Sequence, residues 1–203
     1  MKSFITISIL IIINLFLINC ANQSAPTGGP KDKTPPKLLS SQPNNEEINY
    51  TSKEIILEFD EDITLNNIKK ELIITPRTNV EYESKFKKGK AIIEFKEALD
   101  SNTTYTFTFR EAIKDLTEGN VPKNLTLAFS TGNYLDSMSL SGSIYDIYTN
   151  KKKKDISIAL YKTNDTLNVF EDAPLYLTKT NADGEYIINN IKKSKIYETE
   201  KYG

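Results

Sequence analysis

Thr104-Tyr105-Thr106-Phe107-Thr108-Phe109 is the stretch on which the fold turns. Hydroxyl and aromatic residues alternate strictly. An extended chain therefore places Tyr105, Phe107 and Phe109 on one face and the threonines on the other. A helix would scatter the same residues around its circumference. Neighbouring runs repeat the pattern. Glu54 to Phe59 puts Ile55, Leu57 and Phe59 on one face, and Val80 to Phe86 alternates apart from Ser84. Ala91 to Phe95 follows a Lys88-Gly89 turn, Leu72 to Ile74 ends at Thr75-Pro76, and Leu125 to Thr131 closes the series. Short alternating runs separated by turn residues, without a long 3.6-residue pattern, indicate an all-β sandwich. Helical turns are expected only around Asn66–Lys70 and Glu111–Leu116.

Composition narrows the chemistry available to such a scaffold. The 203 residues include no His, no Trp and one Cys. A Ser-His-Asp triad, a Cys-His pair and an imidazole metal site are thereby excluded. One Cys forms neither an internal disulfide nor a CxxC site. A P-loop, a GxGxxG fingerprint and a GxSxG elbow are missing from the sequence, so no cofactor is expected. The net charge of −1 gives no electrostatic case for nucleic acid. Arg77 and Arg110 are the only arginines, which argues against phosphate recognition.

The first twenty residues, MKSFITISILIIINLFLINC, hold a short basic start at Lys2 and an apolar stretch from Phe4 to Ile18. This is the pattern of a signal peptide. The tetrad Leu17-Ile18-Asn19-Cys20 resembles a bacterial lipobox, although Asn19 replaces the usual small residue. The resemblance implies a signal peptide over 1–19 and lipid attachment at Cys20, with palmitate among the acyl groups. Several chains on one residue would anchor the protein firmly to a membrane. Residues 20–34 are rich in Pro, Gly, Ser and Lys and read as a disordered tether.

Six pieces then occur in order: Pro35-Pro36, Ser41-Gln42-Pro43-Asn44, Leu57-Glu58-Phe59-Asp60-Glu61, Thr104-Tyr105-Thr106-Phe107, Lys114-Asp115 with Gly119-Asn120, and Phe129-Ser130-Thr131. Together they resemble bacterial Ig-like domains of the type found in S-layer proteins. The resemblance covers 35–132. It implies an Ig-like Greek-key sandwich and a structural or adhesive module. The Gly-Gly-Pro-Lys-Asp run before it resembles the tether of Bacteroidetes lipoproteins.

After a polar linker at Asn133–Ser137 a second set of strands is expected at Ser139–Tyr145, Ile156–Tyr161, Leu175–Thr180 and Glu185–Ile188. Asp183-Gly184 signals a hairpin between the last two. Gly142, Ile158-Ala159-Leu160-Tyr161, Thr180, Asp183-Gly184-Glu185-Tyr186 and Ile191 resemble carboxypeptidase-regulatory-like (transthyretin-like) domains over about 138–197, which implies a second domain at 138–203. In that family a further core strand follows. Here Ile191 to Tyr197 begins the motif and the chain runs out at Gly203, so the reading is a truncated sandwich with an exposed edge.

Candidate sites are few. Asp60-Glu61-Asp62 is an acidic strand end, read as solvated and not as a Ca²⁺ site. Lys151 to Lys154 is read as a solvated turn, with anionic glycan or phospholipid contact as the alternative. Tyr105, Phe107 and Phe109 are read as core and not as a sugar platform. Asp136-Ser137-Met138 and Asp165-Thr166-Leu167 resemble Bacteroidetes O-glycosylation sites, making Ser137 and Thr166 candidate acceptors. No catalytic or metal-ligating residue is assigned.

The expected protein is a non-enzymatic, lipid-anchored lipoprotein of the cell envelope, at the outer membrane. It would act as a spacer or adhesion module with an envelope protein or glycan as partner. A glycan-binding accessory lipoprotein and a carboxylate-pair glycosidase are the competing classes. Exposed aromatics on one sheet face would mark the first, and clustered acids in a cleft the second.

Overall fold

Alternation decides where the strands form and which side of each is buried. The structure, a computed structural model, describes residues 29–162, 168–193 and, by backbone alone, 197–202. Cys20 and Thr166 lie outside the described residues. Met1–Asp32 and Lys33–Gly203 are separate units. Of the first, residues 29–32 are described; they are exposed and carry no regular structure.

The regular structure of the second unit is almost wholly strand. In its first half, β1 (Leu38–Gln42), β2 (Glu54–Phe59), β5 (Tyr82–Lys87) and β6 (Lys90–Phe95) form a sheet in the order β1-β2-β6-β5. β4 (Ile73–Thr75), β7 (Thr104–Thr108) and β9 (Thr126–Ser130) form a second sheet, β4-β7-β9. β3 (Ile63–Leu65) pairs with β8 (Ile113–Asp115). All these pairings are antiparallel.

The inward residues of the two larger sheets meet in one core. Ile55, Leu57, Ile93 and Phe95 come from one side, and Tyr105, Phe107, Leu127 and Phe129 from the other. Tyr105, Phe107 and Phe109 are fully buried. Phe95 and Phe107 bridge the sheets edge to face with centroids 6.0 Å apart, a favoured geometry for ring quadrupoles. Lys88 and Gly89, at φ 46° and 71°, form the two-residue turn between β5 and β6. Positive φ at both centres suits the right-handed twist of the strands. A Cβ on Gly89 would lie 2.9 Å from the Glu61 carbonyl oxygen.

The helical turn expected at Asn66–Lys70 is the single turn α1 (Ile68–Glu71). The one expected at Glu111–Leu116 is instead a turn followed by β8. Ile113 is buried there and Lys114 half-buried, while Asp115 is turned into its own loop. A three-residue strand is too short for its period to be read.

The second half contains β10 (Met138–Ser143), β11 (Ser157–Lys162), β12 (Tyr176–Lys179), β13 (Glu185–Ile191) and β14 (Tyr197–Tyr202). β10 pairs with β13, and β11 lies between β12 and β14. Ile158, Leu160, Tyr176, Ile188 and Ile191 form a separate, smaller core. The Asp183-Gly184 turn forms but does not make a hairpin, because β12 and β13 belong to different sheets. The Asn181 side-chain oxygen accepts the N–H groups of Asp183 and Glu185, and Gly184 sits at φ 67°. The turn is a corner that carries the chain from one sheet to the other. The segment read as a run-out supplies β14, which pairs with β11 from Ser157↔Tyr202 to Lys162↔Tyr197. Among the described residues, β12 and β14 are the edges of that sheet.

Candidate functional site

The outer face of β7 shows how the two halves are joined. Its threonines should face water by alternation. Thr104 and Thr106 are buried instead, at 2% and 8% exposure. A buried hydroxyl must find a partner or lose the hydrogen bonds it made to water. Both do so at the seam between the halves. The Asp136 N–H donates to Thr104 Oγ1 at 2.8 Å. The Thr106 hydroxyl donates to Asn190 Oδ1 at 3.0 Å, and Asn190 Nδ2 donates to the Asp136 carbonyl at 2.9 Å.

Asn190 reaches this position because β13 is irregular. The β10–β13 register shifts between Met138 and Leu140, which pair with Ile191 and Ile188. The extra residue on β13 is the mark of a bulge, and bulges re-aim side chains. Asn190 takes φ 57° there, a left-handed conformation that Asn tolerates better than most residues. The Arg77 N–H also donates to the Leu175 carbonyl at 2.7 Å. The Arg110 guanidinium lies 3.0 Å from Asp155 across the seam and 3.9 Å from Glu71 of α1. Both arginines therefore take part in holding the halves together, Arg77 through its backbone and Arg110 through its side chain. Asn133–Ser137 is correspondingly a pinned crossing and not a free linker.

Two carboxylates organise loops by the same device. Asp115, 2% exposed, accepts the N–H groups of Thr117, Glu118 and Gly119 on one oxygen and that of Asn120 on the other. Burial pushes its carboxyl up, but the N–H groups of Gly119, Glu118 and Asn120 outweigh this and bring it down to about 2. In the second half, Asp146 Oδ1 accepts the N–H groups of Tyr148 and Thr149 and the Thr149 hydroxyl. Lys153 lies 2.9 Å from its other oxygen. The Lys153 ammonium, followed by the Thr149 donors, holds this carboxyl well below the usual range.

These arrangements join β-modules and shape loops. They bring together no nucleophile and base. Residues 32–131 match the family model described as bacterial Ig-like domain. The matched span is the first half, whose two sheets enclose the larger core. An Ig-like domain is a non-catalytic kind of domain, compatible with a structural or adhesion role. Two solved structures are similar to the chain. One is the N-terminal part of the bacterial S-layer protein SbsC, at 19% identity, covering 79% of this chain and 33% of that one, with TM-score 0.35. The other is the S-layer protein rSbsC(31-844), at 14% identity, covering 81% and 24%, with TM-score 0.34. The chain thus spans a third or less of the length of these structures. No curated protein matches it.

The remaining candidates fall at separate places. On the Ig-like domain, Asp60 is engaged with the chain itself: Oδ1 accepts the Lys37 N–H at 2.8 Å, and its own N–H donates to the Lys37 carbonyl. The Asp62 carbonyl accepts from Leu116. Among the described residues no three acidic or sulfur side chains gather as a metal site. Ser137 is exposed, one residue beyond the pinned Asp136. A shallow cleft of about 320 Å³ lies beside the Ig-like core, with Arg77, Glu81, Lys96 and Asp100 on its walls. Lys96 and Glu81 pair across it. Burial, followed by the Asp100 carboxylate, pushes the Tyr105 phenol beneath it up to about 12. No described helix is long and apolar enough to cross a membrane.

The seam residues Thr106, Asp136 and Asn190 are the ones that the sequence reading missed as a group. One signal was present. Asn189-Asn190 interrupts a strand rich in apolar residues, and Asn is depleted in strands unless the backbone is irregular.

Proposed function

We propose that the protein is a non-enzymatic, lipid-anchored envelope protein whose two β-modules act as one stiff spacer or interaction element. The seam carries this reading. A chain of hydrogen bonds through Thr104, Asp136, Asn190 and Thr106 replaces the loose linker that independent modules would have. The Ig-like domain supports a structural or adhesive role. The carboxypeptidase-regulatory-like character of residues 138–203 fits a second such module. Cys20 is the proposed lipid attachment point, with residues 1–19 as signal peptide and an outer-membrane location. Ser137 and Thr166 are proposed O-glycan acceptors, which the masses of proteolytic peptides from the native source would test.

The outward face of the four-stranded sheet favours a spacer over a glycan platform. Glu58 pairs with Lys90 and Lys85 with Glu94 on that face. The large rings Tyr105, Phe107 and Phe109 are inside. Limited proteolysis tests the seam. Residues 133–137 should resist cleavage in the wild type and become cleavable in Asn190→Ala. Rapid cleavage of the wild type there would overturn the stiff-spacer reading. For the anchor, metabolic labelling with a lipid probe should mark the wild type and spare Cys20→Ala; equal labelling refutes lipidation.

A further inference from the structure

The loop between β10 and β11 presents apolar side chains outward on a braced support. Ile147 is 89% exposed and Tyr148 95%, with Tyr145 half-exposed behind them. Large apolar residues left in water singly need no explanation, but adjacent ones on a projecting tip do. This tip is not loose. Asp146 accepts three hydrogen bonds from Tyr148 and Thr149 and an ion pair from Lys153. The Asp146 N–H reaches the Lys151 carbonyl, and the Asn150 N–H reaches the Asp146 carbonyl, both at 2.8 Å. Tyr145 bridges to Lys152. The buried Thr180 hydroxyl donates to the Lys153 carbonyl at 2.7 Å and clamps the loop from below. The Gly184 corner packs against it so closely that a Cβ would lie 2.8 Å from the Ile144 carbonyl oxygen.

From Ile147 to Lys154 the sequence reads Ile-Tyr-Thr-Asn-Lys-Lys-Lys-Lys, without an acidic residue. All four lysines are exposed. We infer that this loop docks the protein onto an anionic lipid surface, Ile147 and Tyr148 entering the interface and the lysines meeting headgroup phosphates. The residue types separate this occupant from a protein partner. Protein interfaces are depleted in Lys. Interfacial membrane segments combine an aliphatic tip, a Tyr whose ring and hydroxyl span the boundary, and Lys stems that lie along apolar surface while the ammonium reaches out. Ile147 and Tyr148 stand almost wholly in solvent, so both side chains are free to enter a lipid interface. Two lysines, Lys153 and Lys154, also lie against Asp146 and Asp155, so Lys151 and Lys152 are the pair assigned to headgroups.

The 203-residue chain supplies its own test, because it contains no Trp. Tyr148→Trp places a single indole at the tip, and its emission reports this loop even though the apolar stretch from Phe4 to Ile18 will itself associate with vesicles. In phosphatidylglycerol-containing vesicles the emission should shift to the blue and be quenched by brominated acyl chains. In phosphatidylcholine vesicles it should stay as in buffer. Salt at about 0.5 M should weaken the shift by screening. Adding Lys151→Glu and Lys152→Glu should lower partitioning of the tip at least fivefold for each charge, as expected for roughly one surface-proximal cation apiece. Ile147→Ser should reduce the quenching. An unchanged emission in anionic vesicles overturns the inference, as does an equal shift in neutral ones or indifference to charge reversal. A shift on adding an anionic polysaccharide without vesicles would also overturn it, by assigning the loop to a glycan. Cleavage at 133–137 would leave this readout unaffected, so failure of the seam reading is a separate result.

Discussion

Asp115 and Asp146 solve one problem in the two halves of the molecule with opposite results. Each carboxylate gathers the N–H groups of the next few residues and so fixes a tight loop. In the Ig-like domain the carboxylate is buried beside a core rich in aromatic rings, and the loop closes the end of the β3–β8 pair. In the second half the core is small, the carboxylate is partly exposed, and the loop carries Ile147 and Tyr148 into solvent. The same local chemistry stabilises a fold in one place and presents a surface in the other. What differs is the amount of apolar surface that lies behind the loop.

The largest effect should come from the core that backs Asp115. Phe107→Ala removes a fully buried ring that meets Phe95, Phe109 and Phe129. It should cost about 3–5 kcal/mol in denaturant melts. Ile188→Ala, in the smaller core, should cost about 2–3 kcal/mol, near the low end for such truncations. Equal costs would show that the second core is packed as firmly as the first, and the contrast between the halves would fail.

Asp115→Ala comes next. It removes the shared acceptor of four backbone N–H groups in a part-buried loop and should lower Tm by roughly 5–10 °C. Its acid signature is more specific. The carboxyl sits at about 2 in the folded protein and near 3.9 when unfolded. The unfolded state therefore takes up the proton first as pH falls. The stabilisation is complete above about pH 4 and is lost as pH falls from there to about 2. Asp115→Asn should flatten that part of the stability profile; an unchanged profile would mean that another carboxylate governs it.

A smaller effect should separate the halves from the seam that joins them. Thr106→Val and Asn190→Ala each remove one side of a partly buried hydrogen bond. A double-mutant cycle should return a coupling of about 1 kcal/mol. Zero coupling would leave the halves as neighbours without a specific latch.

Legibility in the sequence follows the same division. The aromatic face of β7 was readable because strict alternation over six residues admits one extended reading. The Asp115 loop was visible as a motif piece, Lys114-Asp115 with Gly119-Asn120, but its hydrogen bonding was not. β3 and β8 escape the pattern because three residues carry no period, and Glu111–Leu116 reads as a helical turn for that reason. The seam was hidden for a different reason. Thr104 and Thr106 look like a wet face, and only the second half, arriving through the bulge at Asn190, makes them a buried one. β14 was hidden by its polarity, since Tyr-Glu-Thr-Glu-Lys-Tyr offers no continuous apolar side.

The smallest change in stability should come from Asp146→Ala, and that is what makes it informative. Little apolar surface depends on this loop, so Tm should move by less than about 2 °C. Local order should change far more. The N–H groups of Tyr148 and Thr149 lose their acceptor and Lys153 loses its partner. Amide exchange at those two positions should accelerate at least tenfold while exchange in β11 stays constant. If the carboxylate instead supports the whole second half, β11 would exchange faster too and Tm would fall as it does for Asp115→Ala. The two loops would then be alike in purpose as well as in chemistry, and the exposed Ile147 and Tyr148 would have to be explained by something other than presentation.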